Sequence, residues 1–204
     1  MKTVVFIPSK TSSKRIPYKN IRPFANSSLL EITINFFKQH CPHDIYVSSE
    51  DDTVLSIADA NDCLRHKRSP SITHANATNF HVLNDWVMSQ HVVNTRIILA
   101  QPSHPMRYIE DLELISSLPH DRDFVSVIAS NSKYIDSLSR TCPPCLTGLY
   151  KVDGSYYILH SDSIRENTPF NLYPFLLPYP DRRIDIDYMD QFYLAESLFS
   201  MESR

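Results

Sequence analysis

The sequence predicts an α/β protein in which a mostly parallel sheet is covered by helices on both faces. Residues 4–7 form a short apolar run bounded by Pro8, which is typical of a buried parallel strand. Apolar residues then recur at helical spacing over residues 29–40, and residues 45–47 begin a second strand. A strand, a helix and a second strand in this order are the start of a βαβ unit.

The same alternation continues along the rest of the chain. The predicted elements are a helix over residues 52–61, a helix with Phe80, Leu83, Trp86 and Val87 on one face, a strand over 97–99, a helix over 109–118, strands over 124–128 and 156–159, and a closing helix over 188–199. Residues 131–151 are the least periodic segment, and we expect them to leave the sheet as an excursion. The whole chain, residues 1–204, is expected to form a single domain.

Composition and charge argue against several classes of function. The formal net charge of −3 argues against general affinity for nucleic acid, because the phosphate backbone favours a basic protein face. No apolar run approaches the roughly 18 residues needed to span a bilayer, and the apolar stretch near the N-terminus is too short for a signal peptide. We therefore expect a cytoplasmic protein without a membrane partner.

The cysteines give only a weak indication of a metal site. Cys142 and Cys145 have CxxC spacing, but a structural zinc site needs a second ligand pair. Cys41 and Cys63 are too far apart in the sequence to supply that pair as a motif. A loop stiffened by the two intervening prolines is the preferred interpretation, and a metal or redox role stays open.

Ligands of such sheets bind in the crevice at the carboxyl ends of the strands. The segments to consider are therefore the loops after the strands, at residues 9–20, 48–52, 101–107 and 184–187. The first of them is basic but contains no glycine; its cationic residues are Lys10, Lys14, Arg15 and Lys19.

The basic loop could neutralise a polyphosphate, because cationic side chains form charge-assisted hydrogen bonds to phosphate oxygens. Glycine normally eases the close approach of backbone N–H groups to phosphate, and here the hydroxyls of Thr11, Ser12 and Ser13 would partly compensate. A solvated basic turn is the alternative interpretation.

Asp185 and Asp187 form a second candidate site. In an extended segment, side chains two residues apart lie on the same face, so both carboxylates could reach one cation. Mg²⁺ prefers carboxylate and phosphate oxygens, which suits an ion shared with a nucleotide. The alternative is a polar edge strand in which Arg182 and Arg183 pair with the aspartates.

The loop at residues 101–107 is stiffened by two prolines and follows a predicted strand. Gln101 and Arg107 are placed to bind a ligand near the sheet edge. His104 is a candidate base, although the sequence shows no acid partner for it. The alternative is a simple turn into the following helix.

Five segments, in the same order along the chain, resemble motifs of one enzyme family. Residues 14–20 (KRIPYKN) resemble S-K-R-I-P-x-K-N, and residues 99–107 (LAQPSHPMR) resemble L-L-Q-P-T-S-P-L-R. The other three are residues 48–51 (SSED) at the place of S-T-D-D, 153–158 (DGSYYI) at that of N-G-A-I-Y-I, and 184–187 (IDID), which match I-D-I-D. The sequence is therefore similar to the CMP-sialic acid synthetases and their relatives for pseudaminic and legionaminic acids.

This resemblance implies a Rossmann-like nucleotidyltransferase fold and a homodimer. It also implies that CMP is transferred from CTP to the anomeric hydroxyl of an acidic nonulosonic sugar, with release of pyrophosphate and with Mg²⁺ as cofactor. Carried over to the matching positions, the implied site comprises catalytic Lys19 and Asp187, nucleotide-binding Lys10, Lys14, Asn20 and Arg68, sugar-binding Gln101 and Arg107, and metal-binding Asp185 and Asp187.

The sequence also departs from the family pattern. Residues 11–13 replace the glycines of many members, and residues 72–75 (ITHA) lack the acidic residue of the L-A-x-D segment. The excursion at residues 131–151 is shorter than in the family and lacks the R-x-Q-x-L-P element. Two alternatives therefore stay open: a catalytically impaired nucleotide-binding protein on the same scaffold, or a transferase for another sugar such as KDO.

Overall fold

A seven-stranded sheet organises the chain, of which the computed structural model describes residues 1–73, 77–129, 150–166 and 171–202. The strands are β1 (Lys2–Pro8), β2 (Pro23–Phe24), β3 (Ser27–Ser28), β4 (Asp44–Ser49), β5 (Leu64–Lys67), β6 (Thr95–Ala100), β7 (Phe124–Ala129), β8 (Tyr150–His160) and β9 (Tyr173–Leu176). The helices are α1 (Leu29–His40), α2 (Asp52–Ala60), α3 (Asn79–Ser89), α4 (Ile109–Ser117), α5 (Ser161–Arg165) and α6 (Met189–Glu202). None of the helices in the described ranges is both long and apolar enough to cross a membrane.

The strand order in the sheet is β5-β4-β1-β6-β8-β7-β9, and β2 pairs with β3 in a separate ribbon. β8 is antiparallel to both of its neighbours, whereas the other pairs in the large sheet are parallel. The predicted mostly parallel sheet is thus confirmed. Because β4, β1 and β6 are parallel, the loops that follow them leave from the same edge of the sheet.

Helices cover both faces of the sheet, as the sequence predicts. Successive side chains of β1 point to opposite faces. Val5 and Ile7 pack in one core cluster with α1, α2 and Ile115 of α4. Val4 and Phe6 pack in a second cluster with α3 and α5, where the Phe6 and Trp86 rings lie 5.0 Å apart.

The helices and strands predicted from periodicity are all confirmed, but β5, β9, the β2–β3 ribbon and the short α5 are not apparent in the sequence. In β5 only His66 is buried, so no apolar alternation marks this strand. Pro174 lies within β9, where a proline normally argues against a strand. It is tolerated because β9 lies at the end of the sheet and pairs with β7 alone.

A third apolar cluster connects segments that are far apart in the sequence. Ile16 of the basic loop and Ile186 of the Asp185–Asp187 segment are both fully buried in it. Phe24, Leu29 and Phe192 complete its buried aromatic and aliphatic core. Burial of these apolar side chains therefore holds the basic loop and the acidic segment against each other.

A buried ion pair fixes the chain just before the acidic segment. Arg183 Nη2 lies 2.5 Å from Asp111 Oδ1 on α4, and the two side chains are 2% and 0% exposed. Asp111 also accepts hydrogen bonds from the Tyr156 hydroxyl and the Tyr108 N–H. Because every partner of the carboxylate is a donor, its burial is compensated, and Arg183 is fixed beside α4.

We predict that Ile186→Ala lowers the free energy of unfolding by about 2–5 kcal/mol, because it leaves a cavity in the third cluster. Leu194→Ala is the control, since Leu194 on the adjacent helix α6 is 55% exposed and should cost roughly 0.5 kcal/mol or less. Urea unfolding of both variants measures the difference. Equal losses in the two variants would contradict the anchoring role of Ile186.

Candidate functional site

An open cavity of about 340 Å³ lies where the basic loop, the acidic segment and the loop after β6 meet. Predicted site residues that line it are Lys10, Lys14, Lys19, Asn20, Arg68, Gln101 and Asp187. Asp185 and Arg107 are not part of this lining. The structure therefore brings together residues from widely separated parts of the sequence, at the sheet edge where the topology predicts a ligand site.

The basic loop is shaped by hydrogen bonds instead of glycine. The backbone N–H of Thr11 donates to Glu50 Oε1 at 3.1 Å, and the N–H of Ser9 donates to the carbonyl of Ser48 at 2.9 Å. Tyr18 adopts φ 57°, in the left-handed region that glycine favours, and its carbonyl accepts the N–H groups of Ile21 and Arg22. The end of β4 thus supports the beginning of the loop, and a short turn supports its end.

Arg68 is held beside the cavity by the end of β4. Its Nε and Nη2 donate to the Ser48 hydroxyl and carbonyl at 3.1 and 3.0 Å, and its Nη1 lies 3.2 Å from Glu50 Oε2. Burial lowers the pKa of the Arg68 guanidinium, while Glu50 and Asp85 oppose that shift. Glu50 therefore anchors both Arg68 and the basic loop, a role that its place in the SSED segment does not reveal.

Asn20 connects the basic loop to the body of the protein. Its side-chain amide donates to the Ser9 hydroxyl at 3.3 Å, and its carbonyl accepts the N–H of Leu30 in α1 at 2.9 Å. The residue is 8% exposed and still lines the cavity. Asn20 can therefore stabilise the loop and present polar atoms to a ligand.

Lys19 lies between the cavity and the acidic segment. Its ammonium donates to the carbonyl of Ile186. Burial lowers the pKa of Lys19, and the negative charges of Asp185 and Asp187 oppose that shift. Both carboxylates are therefore close enough to Lys19 to act on its charge.

The acidic segment is anchored through Ile186, whose side chain is buried while those of Asp185 and Asp187 are 52% and 47% exposed. The Ile186 N–H donates to the carbonyl of Ser103 at 2.9 Å, although residues 183–187 form no strand of the sheet. The Asp187 N–H donates to Gln191 Oε1 at 2.7 Å. The alternation predicted from the sequence is therefore present, with the isoleucine inward and the carboxylates outward.

The alternative in which Arg182 and Arg183 pair with these aspartates is wrong. Arg183 pairs with Asp111, and Arg182 Nη1 lies 3.6 Å from Glu202 Oε1. The cation that does reach Asp187 is Arg15, whose Nη1 lies 2.7 Å from Asp187 Oδ2. Both partners are about half exposed, so this pair is weak and can exchange.

The donor set suits a magnesium ion that is shared with a phosphate ligand. Asp187 offers carboxylate oxygens in the lining of a cavity rich in cations, and Asp185, outside that lining, offers them from the same segment. Among the described residues, no group of three or more histidine, cysteine or acidic side chains could enclose a metal ion. Mg²⁺ commonly binds one or two carboxylates together with substrate phosphates and water, so two aspartates are enough.

The loop after β6 presents Gln101 to the cavity and uses Arg107 as its support. Gln101 Nε2 donates to the carbonyl of Gly154 at 2.6 Å. Arg107 donates to two backbone carbonyls of the same loop, that of Gln101 at 2.6 Å and that of His104. Its guanidinium lies 5.5 Å from the centre of the Tyr156 ring. Burial lowers the pKa of Arg107. Arg107 therefore supports the loop from behind and is not part of the cavity lining, so its contact with a ligand stays a prediction.

His104 has an acidic neighbour that the sequence does not reveal. Its Nε2 donates to the carbonyl of Asp153 at 2.8 Å and lies 3.7 Å from Asp185 Oδ1. Its Nδ1 is 3.2 Å from the Ser103 hydroxyl. With the side chain 4% exposed and both nitrogens engaged, the geometry favours a structural role over that of a free base.

The beginning of α3 is a part of the site that the sequence analysis misses. Ala77, Asn79 and Val82 line the cavity, and Thr78 caps the helix by accepting the N–H of His81 at 3.3 Å. The positive end of a helix dipole favours anions. Thr78 is a detectable signal for the start of α3, but nothing in the local sequence indicates that this end of the helix lines the same cavity as the basic loop.

Some of the sequence predictions lie outside the described residues. These are residues 131–149 of the excursion predicted over 131–151, including Cys142 and Cys145, and the departure at residues 74–75. The last two residues of the predicted excursion, Tyr150 and Lys151, do not leave the sheet, because they pair with Ala129 and Ile128 at the start of β8. Cys41 and Cys63 are within the described residues and are free thiols.

Comparison with known proteins identifies the family of the chain. The sequence model of a family described as cytidylyltransferase matches residues 4–137. The chain is 26% identical to the CMP-N,N'-diacetyllegionaminic acid synthase of Legionella pneumophila subsp. pneumophila (strain Philadelphia 1) over an alignment of 231 positions. That alignment covers 98% of this chain and 97% of the synthase.

Solved structures support the fold. A CMP:2-keto-3-deoxy-manno-octonic acid synthetase complexed with CTP has a TM-score of 0.74 at 14% identity and covers 99% of this chain and 100% of its own. A cytidylyltransferase from Leptospira borgpetersenii serovar Hardjo-bovis has a TM-score of 0.65 at 15% identity, with 98% and 87% covered. The predicted Rossmann-like nucleotidyltransferase fold is therefore confirmed.

We predict that Lys14→Met weakens binding of inorganic pyrophosphate about tenfold, because a charge-assisted hydrogen bond contributes roughly 1.5 kcal/mol. Lys38→Met is the matched control, since Lys38 hydrogen bonds to the carbonyl of Asn61 and is not part of the cavity lining. Isothermal titration calorimetry measures both affinities. Equal affinities for the wild type and Lys14→Met would contradict an anion site at this cavity.

Proposed function

Because the chain belongs to the cytidylyltransferase family, we propose that it transfers CMP from CTP to the anomeric hydroxyl of an acidic nonulosonic sugar and releases pyrophosphate. The observation that carries this proposal is the meeting of the basic loop, Arg68 and Asp187 in one cavity. The alignment with the CMP-N,N'-diacetyllegionaminic acid synthase covers nearly the full length of both proteins, and the name of that relative supports a sugar acid as the acceptor.

The basic side of the cavity binds the nucleotide in this proposal. Lys10 and Lys14 hold phosphate oxygens as point charges, and the hydroxyls of Ser12 and Ser13 add donors from the same loop. Arg68 and Asn20 contact the nucleotide, and the positive end of α3, whose first turn also lines the cavity, favours the anion. Charge neutralisation by fixed groups lets a negatively charged sugar approach a negatively charged triphosphate.

The acidic side supports the reacting atoms. Asp185 and Asp187 would hold Mg²⁺, which when bound supplies positive charge to the phosphate oxygens. Asp187 accepts the proton of the anomeric hydroxyl. At the same time the hydroxyl oxygen of the sugar forms a bond to the α-phosphorus, and the bond between the α-phosphorus and the pyrophosphate oxygen breaks. Lys19 stabilises the negative charge that develops on the transferred phosphoryl group. Arg15 leaves Asp187 at little cost, since their ion pair is half exposed.

The sugar lies against the loop after β6 in this proposal. Gln101 is its direct contact because its side chain lines the cavity. Arg107 contributes by fixing that loop through the carbonyls of Gln101 and His104. We also infer that the enzyme is a cytoplasmic homodimer, as the resemblance of its motifs to the CMP-sialic acid synthetases implies.

The test of the function is pyrophosphate release from CTP and Mg²⁺ with sialic, legionaminic and pseudaminic acids and KDO supplied in turn. Release with one nonulosonic acid supports the proposal and identifies its substrate. Release with KDO alone supports the transferase for another sugar. No release with any of them, when calorimetry still detects CTP binding, favours an impaired nucleotide-binding protein.

We predict that Asp187→Asn lowers kcat by about 10²–10⁴-fold with the active sugar, because the carboxylate is needed for proton transfer and for the cation. Asp190→Asn is the control, since Asp190 is exposed in the first turn of α6 and should leave kcat unchanged. Steady-state kinetics at saturating CTP measure both. Retention of wild-type kcat by Asp187→Asn would remove Asp187 from the mechanism.

The lowered pKa of Lys19 predicts a pH dependence. Burial shifts the loss of its positive charge to a lower pH than for an ordinary lysine, so kcat/KM should fall on the alkaline side as Lys19 loses its proton. Lys19→Arg should move this alkaline fall to higher pH, because arginine stays charged. Lys38→Arg should leave it in place. Identical alkaline profiles for the wild type and Lys19→Arg would argue against Lys19 as the titrating group.

A further inference from the structure

A second cavity, of about 460 Å³, opens at the opposite end of the sheet. Thr3 and Arg96, near the beginnings of β1 and β6, line this cavity, whereas Pro8 and Gln101, at the other ends of these strands, line the first. A strand rises about 3.3 Å per residue, so five residues separate the two cavities by roughly 16 Å. A ligand in this second cavity would therefore occupy a separate site.

Arg96 is a buried cation in the wall of the second cavity. The residue is 3% exposed, and its Nη2 donates to the carbonyls of Ile115 and Leu118 at 3.1 and 3.3 Å. Its Nη1 lies 3.2 Å from His120 Nδ1, which must then accept the hydrogen bond. Its Nε has no hydrogen-bond partner within the described part of the chain.

No acidic side chain in the described ranges lies within ion-pair distance of Arg96. The nearby Asp44 instead pairs with Lys2 at 2.7 Å on the surface. Burial lowers the pKa of the Arg96 guanidinium, and no carboxylate opposes that shift. A buried charge normally has a counter-ion, because desolvation is costly when the charge stays unpaired.

The rest of the cavity wall combines further nitrogen donors with apolar surface. His40, His43 and His120 line it, and Glu113 is its acidic residue. Ile98, Leu112 and Ile115 add an aliphatic wall. Pockets for small molecules commonly pair such a wall with a few polar groups that fix the orientation of the ligand.

We propose that this second cavity binds a small organic anion, a carboxylate or a phosphate monoester joined to an apolar group. The anionic end of the ligand lies beside Arg96 and His120, and its apolar body lies against Leu112 and Ile98. Hydrogen bonds from a guanidinium to a carboxylate or phosphate are charge-assisted, which makes Arg96 the principal contact. Nothing in the proposed transferase reaction uses this site.

Calorimetry on the full chain, with CTP and Mg²⁺ present to occupy the first cavity, tests this proposal. The probes are benzoate, phenyl phosphate and the neutral benzyl alcohol. We expect at least one of the two anions to bind with a stoichiometry of one and benzyl alcohol to bind at least tenfold more weakly. Comparison of benzoate with phenyl phosphate identifies the preferred anionic group.

Three variants assign the binding to the second cavity. Arg96→Gln should weaken the anion at least tenfold, and Leu112→Trp should do the same by filling the apolar side while Arg96 stays in place. The second variant keeps the test valid if Arg96→Gln fails to fold. Lys14→Met should leave this affinity unchanged. The proposal is overturned if neither anion binds, if benzyl alcohol binds equally well, or if Lys14→Met removes the binding while Leu112→Trp preserves it.

Discussion

The burial of Ile186 is the constraint on which the candidate site depends. Its side chain packs with Ile16 and Phe192, its N–H donates to the carbonyl of Ser103, and its carbonyl accepts from Lys19. One residue thus joins the acidic segment to the basic loop, to α6 and to the loop after β6. The exposed positions of Asp185 and Asp187 follow directly, because the neighbours of an inward residue in an extended segment point outward.

The ion pairs around the site differ in what they can do. Arg68 and Glu50 are 5% and 19% exposed. Arg68 donates to the Ser48 carbonyl of β4 and Glu50 accepts from the Thr11 N–H of the basic loop, so their arrangement is fixed. Arg15 and Asp187 are 51% and 47% exposed, and such a pair contributes about 1 kcal/mol or less. A cation can therefore replace Arg15 at Asp187, whereas an anionic ligand would meet the Arg68 guanidinium already in position. The site combines a rigid cationic wall with an exchangeable acidic one.

Strands and helices could be predicted from the sequence where the periodicity of apolar residues coincides with their burial. β1, α1 and β6 have continuous or helically spaced apolar residues, and each was predicted close to its observed bounds. β5 and β9 were missed, because one is largely polar and the other contains Pro174. Both are the outermost strands of the sheet, where pairing on one side is enough and apolar alternation is weaker.

The candidate site was predicted to a similar extent and for related reasons. Charge and position after a strand identified Lys14 and Lys19, and the spacing of two aspartates identified Asp187; all three line the cavity. Arg107 was not identified as a support of its own loop, because its hydrogen bonds to backbone carbonyls there depend on tertiary packing. The contributions of Glu50 and of the start of α3 depend on long-range contacts, which residue type and spacing do not reveal.

A crystal structure of the protein with CTP and Mn²⁺ would test the central claim most directly, because the anomalous signal of manganese locates the cation. The geometry anchored by Ile186 predicts a manganese peak coordinated by Asp185 or Asp187 together with phosphate oxygens, and a triphosphate contacted by Lys10, Lys14 and Lys19. Arg15 should have left Asp187. A triphosphate bound outside this cavity, or a manganese ion held by phosphates alone and remote from both aspartates, would contradict it.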